Sequence, residues 1–130
     1  MRKIISSLLV FACGIGFGVS LGSVGAAENL VKPAFLIVSS DRNTGVTAAD
    51  YAAYQQAAGP LARAAGLSMT AGAQQPVVFE GAWPYQTLAV ERFDSMEALK
   101  AFWYSAAYQE AKKLREGLST VNFIVGVEGN

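Results

Sequence analysis

Glu80-Gly81-Ala82-Trp83-Pro84, the run Thr87 to Phe93, the opening Asp94-Ser95-Met96-Glu97, the aromatic groups Trp103-Tyr104-Ser105 and Tyr108-Gln109, and the closing Val121-Asn122-Phe123-Ile124-Val125-Gly126-Val127 form the stretch that decides the fold. Proline fixes its own φ and pushes the preceding residue extended, so Trp83-Pro84 reads as a rigid turn. Thr87 to Phe93 is a strand bounded by that turn and by Asp94. Asp94 and Glu97 stand three apart, the spacing of a helix-capping pair. Met96, Leu99, Trp103, Ala107, Ala111 and Leu114 then recur at intervals of three and four, predicting one long helix with a single apolar stripe that Gly117 closes. Val121 to Val127 is a last strand. Alternation puts Val121, Phe123, Val125 and Val127 on one of its faces and Asn122, Ile124 and Gly126 on the other.

Upstream, Ala34-Phe35-Leu36-Ile37-Val38-Ser39 is a short apolar run that reads as a buried strand. Thr47 and Asp50 are again a capping pair, and Tyr51, Tyr54, Ala58, Leu61 and Ala65 mark one helical stripe. Gly59-Pro60 predicts a kink or restart within it, because proline lacks the N–H that the helix needs. Gly66 ends the helix, Leu67 to Ala71 alternates as a strand, and Val77-Val78-Phe79 continues or resumes that strand after a loop. The order is strand, helix, strand, strand, helix, strand. It predicts the α+β class: a ferredoxin-like βαββαβ sandwich, with a four-stranded antiparallel sheet and two helices on one face. The first and last strands are apolar on both sides, although helices cover only one. The economical cover for the other is a second copy, giving a homodimer packed sheet against sheet.

Residues 1–27 stand apart from this pattern, leaving residues 28–130 as a single ferredoxin-like domain. Arg2 and Lys3 precede a charge-free run from Ile4 to Ala27, and Val24-Gly25-Ala26-Ala27 offers small residues before Glu28. That is the layout of a signal peptide cleaved after Ala26 or Ala27, which places the protein in the periplasm or outside the cell. The alternative is an uncleaved membrane anchor through residues 4–27, since about 20 apolar residues span a bilayer. Gly14, Gly18 and Gly22 have the spacing of close-packed membrane helices, whereas the abundance of glycine in this segment weakens a helix.

Ten basic residues balance ten acidic ones in the whole chain. Without Arg2 and Lys3, eight basic residues remain against ten acidic, a net charge of −2, with no basic cluster to suit a nucleic acid. There is no histidine, and the one cysteine, Cys13, lies in the leader. The domain therefore has no thiol nucleophile, imidazole base, disulfide, or His or Cys ligand for zinc, copper or haem. No carboxylates have calcium-loop spacing, and no glycine run opens a helix as a phosphate cradle does. No cofactor and no metal are expected.

Several pieces together resemble the domain of unknown function 1330 family: Glu80-Gly81 with Trp83-Pro84, Phe93-Asp94-Ser95-Met96-Glu97-Ala98, Trp103-Tyr104-Ser105 with Tyr108-Gln109, Lys112 to Gly117, and Val127-Glu128-Gly129. The resemblance runs from the Phe35 strand to Gly129. It implies membership of the dimeric α/β barrel group, which includes cofactor-free oxygenases, haem enzymes and small-molecule binders, so it does not fix a reaction. Basic residues often precede the third strand in the family, whereas Gln86 and Thr87 stand here. Ala106 and Ala107 replace a common proline and acid. If an anionic ligand uses those missing basic side chains, this chain binds something else.

The candidate ligand pocket is Trp83, Arg92, Trp103, Tyr104 and Tyr108, because aromatic faces stack a ligand, tyrosine donates a hydrogen bond and arginine holds a carboxylate. Each has a packing alternative: Trp103 as core, the tyrosines as rim, Trp83 as part of a rigid turn, and Arg92 paired with a neighbouring acid. Glu80 and Glu91 are the acids within or beside the central strands, while Asp50, Asp94 and Glu97 have a capping role. The catalytic residues are unknown at this stage. The function expected is that of an exported, dimeric small-molecule binding or interaction module. The alternatives are a cofactor-free oxygenase or isomerase using the tyrosines, Arg92 and a carboxylate, and a purely structural envelope or stress protein.

Overall fold

The computed structural model describes residues 30–130, so the signal peptide or anchor expected at residues 1–27 lies outside the described residues. Strand β1 spans Ala34–Arg42 and is followed by a 3-10 turn at Ala48–Tyr51 and helix α1 at Ala52–Ala64. Strands β2 (Ser68–Ala73) and β3 (Leu88–Phe93) follow, then helices α2 (Met96–Trp103) and α3 (Ala106–Lys113), and last β4 (Ser119–Glu128). The sheet order is β2-β3-β1-β4, with antiparallel pairing throughout. This is the ferredoxin-like α+β arrangement. Among the described residues no helix is long and apolar enough to cross a membrane.

One face of the sheet carries the core. Ala34 and Leu36 of β1 and Phe93 of β3 are buried with Ala58 of α1, Leu99 and Phe102 of α2, and Tyr108 and Ala111 of α3. Helix α1 continues through Gly59-Pro60 as one helix, so the chain does not restart there. Burial of its stripe, which includes Tyr54, Leu61 and Ala65, outweighs the one backbone bond that proline removes. The Thr47 amide and hydroxyl both donate to the Asp50 carboxylate, at 2.6 and 2.8 Å, so the expected pair opens this segment. Gly66, at φ 78°, closes it in the left-handed region that glycine enters without steric cost.

The expected single long helix is two helices. At the junction the Ser105 hydroxyl donates to the Phe102 carbonyl at 2.8 Å and accepts from the Tyr108 amide at 3.2 Å. The Gln109 side chain donates to the Trp103 carbonyl at 2.6 Å, satisfying a group that the break would leave open. The break changes the phase of the apolar stripe. Phe102 and Tyr108 are buried, while Ala107 and Leu114 are exposed. The cap of α2 is also one residue later than expected: Ser95 accepts from the Ala98 amide at 3.0 Å, and Asp94 instead pairs with Arg92.

Val77-Val78-Phe79 is not a strand. It lies in the loop between β2 and β3, with Phe79 96% exposed. The last strand has a bulge: Ser39 pairs with Phe123 and Ser40 with Val121, so Asn122 is the extra residue. One extra residue reverses the alternation. Val121 therefore joins Trp103 and Ile124 on the helix side, rather than sharing a face with Phe123, Val125 and Val127.

The helix-free face is a ladder of apolar rows. Phe35 lies between Arg92 and Val127, and Ile37 between Val90 and Val125. Trp83 and Tyr85, from the loop before β3, cover one end of this face by edge-on contacts with Phe123 at 6.1 and 5.8 Å.

Candidate functional site

The sheet and its helices do not meet everywhere. Between them lies a cavity of about 460 Å³, within the size range of small-molecule sites. Leu36 and Val38 of β1, Glu91 of β3 and Ile124 of β4 contribute from the sheet, and Tyr54 and Ala58 from α1. Phe102, Trp103 and Tyr108 contribute from α2 and α3, while the exposed Gln55 and Arg63 and the half-buried Arg115 complete the lining.

Aromatic rings build one wall. Phe102 and Tyr108 have centroids 4.3 Å apart, and Trp103 and Tyr108 5.3 Å apart. The break at Tyr104-Ser105 makes this possible, because Trp103 and Tyr108, on separate helices, converge on one cavity. The Tyr108 and Tyr54 hydroxyls are hydrogen-bonded at 3.2 Å. Burial, helped by that bond, holds the Tyr108 hydroxyl far above the ordinary tyrosine range, so it stays protonated. The Arg115 guanidinium lies over the Tyr54 ring at 5.8 Å, and its Nε is buried without a protein partner.

Glu91 is the chemically distinctive group. It sits opposite Leu36 in the β1–β3 ladder and opposite Met69 in the β2–β3 ladder, so its side chain enters the apolar helix-side layer. Its partial burial raises its pKa above the ordinary value of 4.5. The ion pairs among the described residues are Lys32 with Glu128, Arg92 with Asp94, and Lys113 with Glu110, so Glu91 is in none of them.

The five sequence candidates are divided among three places. Trp103 and Tyr108 line the cavity. Tyr104 is 74% exposed at the helix break, beside a shallow cleft with Met96 and Lys100. Trp83 is on the opposite side of the sheet, against Tyr85 at 5.1 Å. Arg92 is also there, between Phe35 and Ser68, and pairs with Asp94 at 3.1 Å. Gln86 and Thr87 stand where the family often has basic residues. The Gln86 amide donates to Asp41 at 2.7 Å, and the Thr87 hydroxyl donates to the Ser40 carbonyl at 2.6 Å.

Sequence reasoning missed Tyr54 and Arg115 as site residues and named Glu91 only as an acid within or beside the central strands. Tyr54 was visible only as part of a helical stripe. The legible sign for Glu91 was a lone acid among apolar strand residues, although its face depends on register. Among the described residues no group of three or more His, Cys, Asp or Glu is placed to hold a metal ion.

A ferredoxin-like α+β domain with a cavity between its helices and its sheet is the class that fold and site define. The chain belongs to the DUF1330 family, a domain of unknown function, which matches residues 33–130. No curated protein matches it. Among solved structures, the RPA0582 protein of unknown function from Rhodopseudomonas palustris is similar at TM-score 0.59 and 17% identity, over 76% of this chain and 83% of that one. The hydroxynitrile lyase from Passiflora edulis is similar at TM-score 0.54 and 14% identity, over 78% of this chain and 95% of that one. At these identities the likeness is one of fold.

Proposed function

We propose that this protein binds a small, largely apolar or aromatic molecule in the cavity between its helices and its sheet. The observation that carries this reading is the meeting there of an aromatic wall, a hydroxyl pair and an unpaired carboxyl. A packed core has no use for Glu91, which is half-buried and in no ion pair among the described residues, because taking a carboxyl even partly out of water without a partner costs stability. The site differs from the pocket read in the sequence: Trp103 and Tyr108 stay, Tyr54, Glu91 and Arg115 join, and Trp83, Arg92 and Tyr104 drop out.

The working form is a homodimer closed through the helix-free sheet face. Phe35, Ile37, Val90, Val125 and Val127 make an apolar surface that water covers poorly. Val77 and Phe79, 77% and 96% exposed, add apolar surface from the loop that also carries Trp83. The proposed location is outside the cytoplasm, by the leader at residues 1–27. Intact mass of the protein from its native host tests that part: loss of the first 26 or 27 residues supports export, and a full-length species extracted only by detergent supports the anchor.

The binding reading is tested by fluorescence titration with 2-naphthol, comparing the wild type with Ala58→Phe. Ala58 is buried on the cavity wall, so the larger ring fills the site. Loss of binding in a variant with an unchanged circular-dichroism spectrum supports the reading. Equal binding by both proteins contradicts it.

A further inference from the structure

We propose that Glu91 accepts a proton from carbon, and that the class of molecule taken is an enolisable 2-oxo acid with an aromatic or apolar side chain. The activity is keto–enol isomerisation, and it rests on the binding reading above. Three groups on one cavity carry it, each left with unused capacity.

The first is Glu91. Its position in the β3 ladder, between Leu36 and Met69, suits an apolar side chain, and no ion pair among the described residues offsets its burial. A carboxylate held in apolar surroundings is a stronger base than one in water, since its charge is poorly solvated. The raised pKa fits that role.

The second is the Tyr54–Tyr108 pair. Two hydroxyls bring two hydrogens, and the single bond between them at 3.2 Å uses one. The other hydrogen is free to donate to an oxygen in the cavity. A donor placed where an enolate oxygen develops stabilises the charge as it forms. The third is Arg115, whose buried Nε has no protein partner. A guanidinium on the lining recognises a carboxylate, which narrows a carbonyl compound to a 2-oxo acid.

The step balances without an oxidant or reductant. The C–H bond on the carbon beside the carbonyl breaks, and the proton goes to the Glu91 carboxylate. The electron pair of that bond forms the carbon–carbon double bond, and the carbonyl electrons move to oxygen, whose charge a hydrogen bond from the tyrosine pair holds until a solvent proton gives the enol. Loss of that proton to solvent and return of a proton from Glu91 to carbon, with the electrons moving back into the carbonyl, regenerate the ketone.

Phenylpyruvate is the probe. Deuterium exchange at its benzylic carbon is followed by NMR, with 2-naphthol as an uncharged control for the cavity. The wild type accelerates the exchange, and Glu91→Gln lowers the rate about 100-fold, as loss of a positioned base does, while 2-naphthol still binds. Glu91→Asp restores part of the rate. Arg115→Met weakens phenylpyruvate at least tenfold more than it weakens the uncharged 2-naphthol. Exchange unaffected by Glu91→Gln, or no acceleration with phenylpyruvate bound, overturns the proton-transfer role and leaves the binding reading intact. Binding of 2-naphthol without phenylpyruvate overturns the substrate class. Failure of both probes to bind in the cavity overturns the binding reading and this proposal with it.

Discussion

The hydroxyl oxygens of Tyr54 and Tyr108 lie 3.2 Å apart and tie helix α1 to helix α3 on the lining of the cavity. The contact joins residues 54 positions apart in the chain. It holds one polar point in an otherwise aromatic wall.

Tyr108→Phe removes that bond and keeps the ring against Phe102 and Trp103. The expected loss of stability is about 1 kcal/mol, the net worth of one hydrogen bond. Urea denaturation measures it. Binding of a ligand oxygen weakens in the same variant. Unaltered binding of phenylpyruvate would return Tyr108 to a packing role.

Val125 stands beside Ile37, whose other neighbour is Val90, at the middle of the helix-free face. Val125→Lys places a charge there. Light scattering is expected to give twice the monomer mass for the wild type and the monomer mass for the variant. A wild-type monomer at micromolar concentration would contradict the sheet-to-sheet arrangement.

Glu91 gives a pH dependence with a definite sign. Its folded pKa lies above the ordinary 4.5 because of burial. The folded protein therefore holds this proton to higher pH than the unfolded chain does. The stability tied to it is fully present below the unfolded value and is lost as pH rises through the folded value. The other titratable or charged groups on the lining of the same cavity are Tyr51, Tyr54, Tyr108, Arg63 and Arg115. The melting temperature of Glu91→Gln relative to wild type is expected to climb as pH rises above 4.5. A constant difference would place Glu91 in water.

Ser105 both ends one helix and starts the next. Ser105→Ala leaves the Tyr108 amide without its cap and costs about 1 kcal/mol. The variant is also expected to bind 2-naphthol less tightly, because Trp103 and Tyr108 lose the junction that aims both at the cavity. A stability loss with unchanged binding would show that ring packing alone sets the wall.

The element order was legible in the sequence because each boundary has a local cause: Thr47 with Asp50, Gly66, Trp83-Pro84 and Gly117 are all short-range signals. The helix break at Ser105 was not, because Trp103 to Leu114 keeps an apolar spacing that suits one continuous helix. Only the Ser105 and Gln109 hydrogen bonds reveal the interruption. The bulge at Asn122 was hidden for a related reason, since strand alternation presumes even pairing and the extra residue appears only against Ser39 and Ser40. Two of the five candidate residues, Trp103 and Tyr108, reached the cavity. Arg92 and Glu91 are adjacent in sequence, so strand alternation puts them on opposite faces, but which of them meets the helices follows from register with β1, which composition does not encode.

The most direct test of the cavity as the ligand site is methyl NMR of the labelled protein during titration with 2-naphthol. Leu36, Val38 and Ile124 report on the cavity, while Ile37, Val90 and Val125 report on the opposite sheet face. Saturable shifts at the first three, with the second three unmoved, are the predicted result. Shifts confined to Ile37, Val90 and Val125, or none at all, would contradict it.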